Sequence, residues 1–295
     1  MEIRPAVPDD AAAAAALYEI VEPWSVTTAE LMRGGLEKEA GSQARAAFAA
    51  VEGDQLIGWA RCALIPGSNP VSGQLRVMVH PQYRSLGAGT ALVESTHAHL
   101  KAAGAVNVRV FADPASQEWA SQWGYQQTRQ VHYAGIDPRE APELPVVPAG
   151  VRLMPLAEVD PRLVYAADEV AQRIKPGDAK IESRPYPDWL KDTWQSPGMM
   201  LDLSVAALQD DRVIGFTLGN GSYRKIWSQM TATMPDHQGR GLAKLVKCAA
   251  LRLAADAGVI GAYTANYDGN EPMLAVNNWL GYRRAATHSV LVCPL

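Results

Sequence analysis

The chain has 295 residues, 48% of them apolar and 20% charged, with a formal net charge of −4. It is too apolar for a disordered chain and lacks the clustered lysines and arginines that nucleic-acid binding demands, so neither DNA nor RNA is expected as a partner. No run reaches the ~18 apolar residues of a membrane span and no basic stretch precedes the alanines near the start, so no membrane partner and a cytoplasmic location are expected.

In chain order, Pro8 to Ala16 opens a helix with Asp9 and Asp10 at its positive end. Ala46 to Val51 and Leu56 to Leu64 flank Glu52-Gly53-Asp54-Gln55 and predict a hairpin turned by the Gly-Asp pair. Gln74 to Val79 is a strand that stops at His80-Pro81, and Gly89 to Ala103 is an amphipathic helix that ends at Gly104. Val106 to Phe111 follows as a strand, Ala115 to Trp123 as a helix and Gln130 to Ile136 as a strand. The four prolines of Asp137 to Gly150 forbid regular helix and favour an extended connector. Beyond it the order returns: hairpin Val205 to Gly219, strand Ile226 to Thr233, helix Leu242 to Ala257, strand Ile260 to Ala265, helix Met273 to Trp279 and strand His288 to Val292. The chain is thus expected to hold a domain over 1–137, a linker over 138–150 and a second domain over 151–295.

The two halves are one unit written twice. Asp54-Gln55-Leu56-Ile57-Gly58-Trp59 recurs as Asp211-Arg212-Val213-Ile214-Gly215-Phe216, Gly87 finds Gly241, and Trp123-Gly124-Tyr125 finds Leu280-Gly281-Tyr282. Arg4-Pro5-Ala6 has a looser echo in Arg152-Leu153-Met154-Pro155. Cys62, Cys248 and Cys293 are odd in number and far apart; they read as buried, reduced thiols, and no metal is expected.

Chemistry concentrates where strand, loop and helix meet. In the first copy this is Met78-Val79-His80-Pro81 followed by Arg84-Ser85-Leu86-Gly87-Ala88-Gly89-Thr90; in the second it is Thr233-Met234-Pro235 followed by Gln238-Gly239-Arg240-Gly241-Leu242-Ala243. Glycine at the first turn of a helix lets backbone N–H groups approach a ligand, and the helix dipole favours an anion there. Neither copy has the GxGxxG and distant acid of a dinucleotide fold, nor a Walker lysine.

These residues resemble the GCN5-related N-acetyltransferase (GNAT) superfamily, whose signature is Arg/Gln-x-x-Gly-x-Gly/Ala after a strand ending in Val-x-Pro. The resemblance covers nearly the whole chain and implies an α/β fold of two tandem domains, each a mixed, mostly antiparallel twisted sheet flanked by helices. It also implies acetyl-CoA as co-substrate, held at both loops, and transfer of the acetyl group to a primary amine of a small-molecule acceptor. A neutral amine would attack the thioester, a backbone N–H on the preceding strand would stabilise the oxyanion, and CoA thiolate would leave.

Asn266, Asn270, Met273 and Asn277 match the Asn-rich helix that lies beside the pantetheine arm in relatives; capping by Asn270 and solvation of Asn277 is the other reading. The first copy has no asparagine over 112 to 120, so the second is expected to be the catalytic one. Tyrosine, which protonates the thiolate in many relatives, is replaced by Ala120 and Asn277, and Gln74, Trp227 and Ser228 stand where relatives often carry a glutamate. The acid and base are therefore open, with Glu182 and Tyr186 candidates on an insertion over Ala166 to Met200 that includes Glu169, Asp178 and Trp189. His237 is expected beside the cradle, and His97 and His99, two apart on a helix, cannot form a metal pair. A catalytically silent CoA sensor or assembly module is the alternative, and a monomer or homodimer is expected.

Overall fold

The computed structural model describes residues 1–37, 43–174 and 184–295. Alternating apolar residues form the hairpin β2 (Ala46–Glu52) and β3 (Gln55–Leu64), with β1 (Glu2–Pro5) antiparallel on its outer edge. On the inner side β4 (Ser72–Val79) runs antiparallel to β3, β5 (Asn107–Ala112) runs parallel to β4, and Ser289–Pro294 pairs antiparallel with β5. The alternation decides the layering. Ala49 and Trp59 pack with Leu17 and Tyr18 of α1 (Ala11–Val21), whereas Ala50 and Ala60 pack with Ala88 and Leu92 of α3 (Ala88–Ala102). The short helix α2 (Ala29–Leu36) follows α1, and α4 (Gln117–Ser121) precedes β6 (Gln126–Ile136).

The second copy repeats this plan. β7 (Arg152–Pro155), β8 (Val205–Gln209), β9 (Arg212–Gly221) and β10 (Lys225–Thr233) pair antiparallel in turn, and β11 (Gly261–Tyr267) pairs parallel with β10. Ala206 faces α5 (Pro161–Ile174) and Trp189 of α6 (Tyr186–Trp189), while Val205 and Ala207 face Leu242, Leu245 and Val246 of α7 (Leu242–Asp256). The helix α8 (Glu271–Trp279) and β12 (Arg283–Pro294) complete it. Both hairpins carry a bulge at the same step, Ala50/Val51 and Ala207/Leu208, as duplication requires.

Elements that differ from the sequence expectation do so at their ends. Pro8–Asp10 is a single 3-10 turn, tied by Asp10 to the Val7 N–H and to Arg4, so the helix proper starts at Ala11 and runs to Val21. The two last strands are longer than hydrophobicity alone indicates, Gln126–Ile136 and Arg283–Pro294, because polar residues occupy their first turns of pleat. The chain divides into compact units of Met1–Val131 with Thr287–Leu295, and His132–Ala286. The proline-rich segment therefore falls within the second unit, where Val147 packs against the α7 cluster and Cys248 Sγ lies 3.3 Å from the Pro142 carbonyl. Among the described residues no helix is long and apolar enough to cross a membrane.

Candidate functional site

In each unit a strand ends at a proline turn and a fifteen-residue helix begins from a left-handed glycine: Gly87 with φ 88° before α3, and Gly241 with φ 79° before α7. The last intrahelical acceptors at these starts are the Gly87 and Gly241 carbonyls, bonded by Ala91 and Leu245, so the preceding N–H groups of the first turn face outward without a helical partner. Beyond the neighbouring backbone, no atom of the described residues stands within 4 Å of where a Cβ would project from either glycine. The cradle is open, and its glycines answer to backbone geometry. Two residues earlier the backbone is left-handed again, at Ser85 (φ 63°) and Gly239 (φ 75°).

Of the cradle residues, Ala88 and Leu242 are buried in the helix–sheet cores and offer only backbone, while Leu86 and Arg240 stand exposed at equivalent places. Arg84 and Gln238 terminate the proline turns, with Arg84 Nε 3.5 Å from the Val79 carbonyl. In the first unit Arg84, Gly87, Gly89, Thr90, Met78 and Val79 border one groove of about 790 Å³. Its floor exists because β4 and β5 pair only from Ser72↔Asn107 to Leu75↔Val110 and then part. A second basin, of about 920 Å³, shares Leu75 and Phe111 with this groove as lining residues.

At the same place in the second unit, β10 and β11 pair only from Lys225↔Gly261 to Trp227↔Tyr263. Met234 is buried in the core, and Thr233 ends the strand half-buried. Here β10 carries a bulge that β4 lacks: Ser228 opposes Gly219 and Met230 opposes Leu218, leaving Gln229 over and re-aiming the local backbone. The structure brings Asn266 and Asn277 together, Asn277 Nδ2 donating to Asn266 Oδ1 at 2.6 Å. Asn277 is buried, not solvated, and its Oδ1 has no partner among the described residues. Such a buried acceptor fits the amide N–H of a pantetheine arm, so the residues present suit CoA. Asn270 stands at the start of α8 without a side-chain capping bond.

The residue that sequence reasoning missed is Lys247. It lies on the buried stripe of α7 with Leu251 and Ala254, and its Nζ is 3.2 Å from Ser228 Oγ and 4.9 Å from the centre of the Tyr282 ring. Desolvation pulls its pKa from 10.5 down to about 7. Ser228, Thr231 and Thr217 form a chain of hydroxyls beside it, with Thr217–Thr231 at 2.8 Å and Ser228–Thr231 at 3.4 Å. A small cavity of about 30 Å³ adjoins these groups, room for one water. The duplication pairs Lys247 with Val93, which lines the first unit's groove, and Tyr282 with Tyr125, which lines it too. A lysine in register with core residues was the available signal.

Glu182 lies outside the described residues. Tyr186 packs its ring in an aromatic cluster, 5.3 Å from Tyr165 and 6.3 Å from Trp189, under the Arg162 guanidinium. His237 closes the turn before the second cradle. His97 bonds Tyr125 and His99 the Ala44 carbonyl, so each has a separate structural partner. Sequence reasoning also passed over Glu22, buried beside Arg76 and bordering the first groove; burial raises its pKa against the pull of Arg76.

The model of the acetyltransferase (GNAT) family matches residues 12–125 and again 168–282. The chain is 28% identical over 267 residues to mycothiol acetyltransferase of Rhodococcus jostii (strain RHA1), covering 84% of this chain and 83% of that protein. It is 26% identical over 230 residues to the mycothiol acetyltransferase of a Nocardioides species, covering 73% and 78%. Among solved structures it resembles a tandem GNAT protein from the clavulanic acid biosynthesis pathway, with a TM-score of 0.77 and 20% identity over 99% of this chain and 98% of that one. A GCN5-related N-acetyltransferase from Sphaerobacter thermophilus gives 0.75 and 19% over 99% and 95%. With the family matched once in each copy, over the strand, glycine cradle and helix described above, the chain belongs to the acetyltransferase (GNAT) family and is a tandem, acetyl-CoA-dependent N-acetyltransferase.

Proposed function

We propose that the second copy carries the transfer, moving the acetyl group from acetyl-CoA to a primary amine of a small-molecule acceptor. The observation that carries this reading is the buried contact of Lys247 with Ser228, at the point where β10 and β11 part. Both copies lack the usual tyrosine and glutamate, and the second holds there a lysine poised to change charge near pH 7. The acceptor amine attacks the thioester carbonyl, the C–S bond breaks, and the amine's proton passes through the Ser228 hydroxyl to neutral Lys247 and on to the departing thiolate. Lys247 ends the cycle neutral. The bulged backbone of β10 supports the oxyanion role of a strand N–H in this copy. The relatives are named for mycothiol, itself a small molecule, which argues for an acceptor of that size.

Release of free CoA from acetyl-CoA is measured with a thiol reagent across a panel of primary amines, comprising amino sugars, polyamines and amino acids. The expected kcat/KM rises with pH through about 7 and loses that limb in Lys247→Met, with KM for acetyl-CoA little changed. A profile with the same limb in the variant overturns the role of Lys247. Acetyl-CoA binding without CoA release on any amine favours a silent CoA-binding module instead.

A further inference from the structure

The basin that shares lining residues with the first unit's groove has a charge out of keeping with the chain. The whole protein carries a net charge of −4, yet the charged side chains lining this basin are Arg45, Arg61 and Arg76, with no aspartate or glutamate among the described residues that line it. Arg76 is engaged by Glu22 at the edge of the neighbouring groove. Arg45 and Arg61 are exposed. Arg45 donates to Gln43 at 2.9 Å, and Arg61 is held over the Tyr18 ring at 5.8 Å and forms no ion pair among the described residues. Glu22 is the acid whose charge Arg76 and Arg61 share, so among the described residues three guanidiniums face one carboxylate, above walls made apolar by Met32, Leu36, Phe48, Trp59 and Leu64.

We propose that this basin binds a small organic dianion, an apolar body carrying two carboxylates, which sits beside CoA held in the adjoining groove. Each part has its counterpart in the structure. The apolar walls cover the body, and Arg45 and Arg61 take one carboxylate each by charge-assisted hydrogen bonds. At about 920 Å³ the basin has the size of a small-molecule site. The basin and the groove share Leu75 and Phe111 in their walls, so an occupant of the basin would lie next to the groove that would hold CoA. The inference stands whichever copy carries the transfer, since it concerns the first unit's side chains alone.

The probe is benzene-1,3-dicarboxylate, with the uncharged 1,3-dicarboxamide as its control, each titrated calorimetrically into full-length protein saturated with CoA so that the cradles are filled. The dicarboxylate is expected to bind, to weaken as salt is raised, and to bind at least about tenfold more weakly to the Arg45→Gln/Arg61→Gln double variant, the loss of hydrogen bonds to charged groups. Both substitutions are at exposed side chains, and an unchanged melting temperature shows that the variant is folded. Equal binding of dicarboxylate and dicarboxamide overturns the proposal, as does undiminished affinity in the double variant or no binding of the dicarboxylate. Inorganic phosphate competing as well as the dicarboxylate also overturns it, since that makes the site one for any anion.

Discussion

Replacing Lys247 with methionine keeps the length of the buried stem and removes the charge. A lysine that titrates at 10.5 in the unfolded chain and at about 7 in the folded one loses, at 1.36 kcal/mol per decade, roughly 5 kcal/mol of folding free energy when it must be buried charged. Its Ser228 and Tyr282 contacts do not restore what water supplied. The unfolded chain binds the extra proton between pH 7 and 10.5, so wild-type stability rises with pH across that window, and the penalty is complete below pH 7. Chemical denaturation of wild type and variant, followed through the transition of the second unit at pH values from 6 to 10, gives the comparison. At pH 6 the variant is expected to be more stable by roughly 3–5 kcal/mol, and the difference should close as pH approaches 10. A difference that stays constant with pH, or a variant less stable at pH 6, refutes the claim that Lys247 is buried without a counter-charge.

Ser85 adopts a left-handed backbone that favours glycine, so Ser85→Gly should raise the first unit's stability by about 0.5–1 kcal/mol in thermal denaturation while leaving acetyl-CoA affinity intact. Asn277→Leu removes the unpartnered buried acceptor and should weaken acetyl-CoA binding in the second copy roughly fivefold by calorimetry, the worth of one hydrogen bond. His288 is buried, and desolvation followed by repulsion from Arg76 pushes its pKa down to about 4. The unfolded chain takes up this proton first as pH falls from 6.5, so about 3 kcal/mol should be lost by pH 4, and His288→Leu should flatten that part of an acid titration. Burial raises the pKa of all three thiols, Cys62 to about 12, so iodoacetamide at pH 8 should label them only in denaturant.

Repetition made the fold legible. Periodic apolar residues at Ala46 to Leu64 and Val205 to Gly221 announce their hairpins, and the glycines at 87 and 241 mark the helix starts because few other residues tolerate the angle they adopt. The short edge strands at Glu2–Pro5 and Arg152–Pro155 have too few residues to show a period. The assignment of Thr287–Leu295 to the first unit depends on pairing with β5, more than 170 residues earlier in the chain, which no local pattern encodes. At the candidate site the cradles were legible because backbone geometry dictates residue type there. Lys247 was overlooked, since a lysine on a helix ordinarily turns to solvent; its register with Val93 was the one hint, and the packing of Ser228 and Tyr282 around it shows the burial. Glu22 and Arg76 lie far apart in sequence and meet only through the arrangement of α1 against β4.

The central claim, that acetyl transfer runs from the second cradle, is tested most directly by CoA release in two variants assayed side by side. Glutamate at Gly241 or Gly87 puts a side chain on a left-handed backbone and a negative charge where the pyrophosphate of CoA would lie. Gly241→Glu should abolish turnover, and Gly87→Glu should leave most of it. Turnover that survives Gly241→Glu and disappears with Gly87→Glu would contradict the account and move the reaction to the first copy.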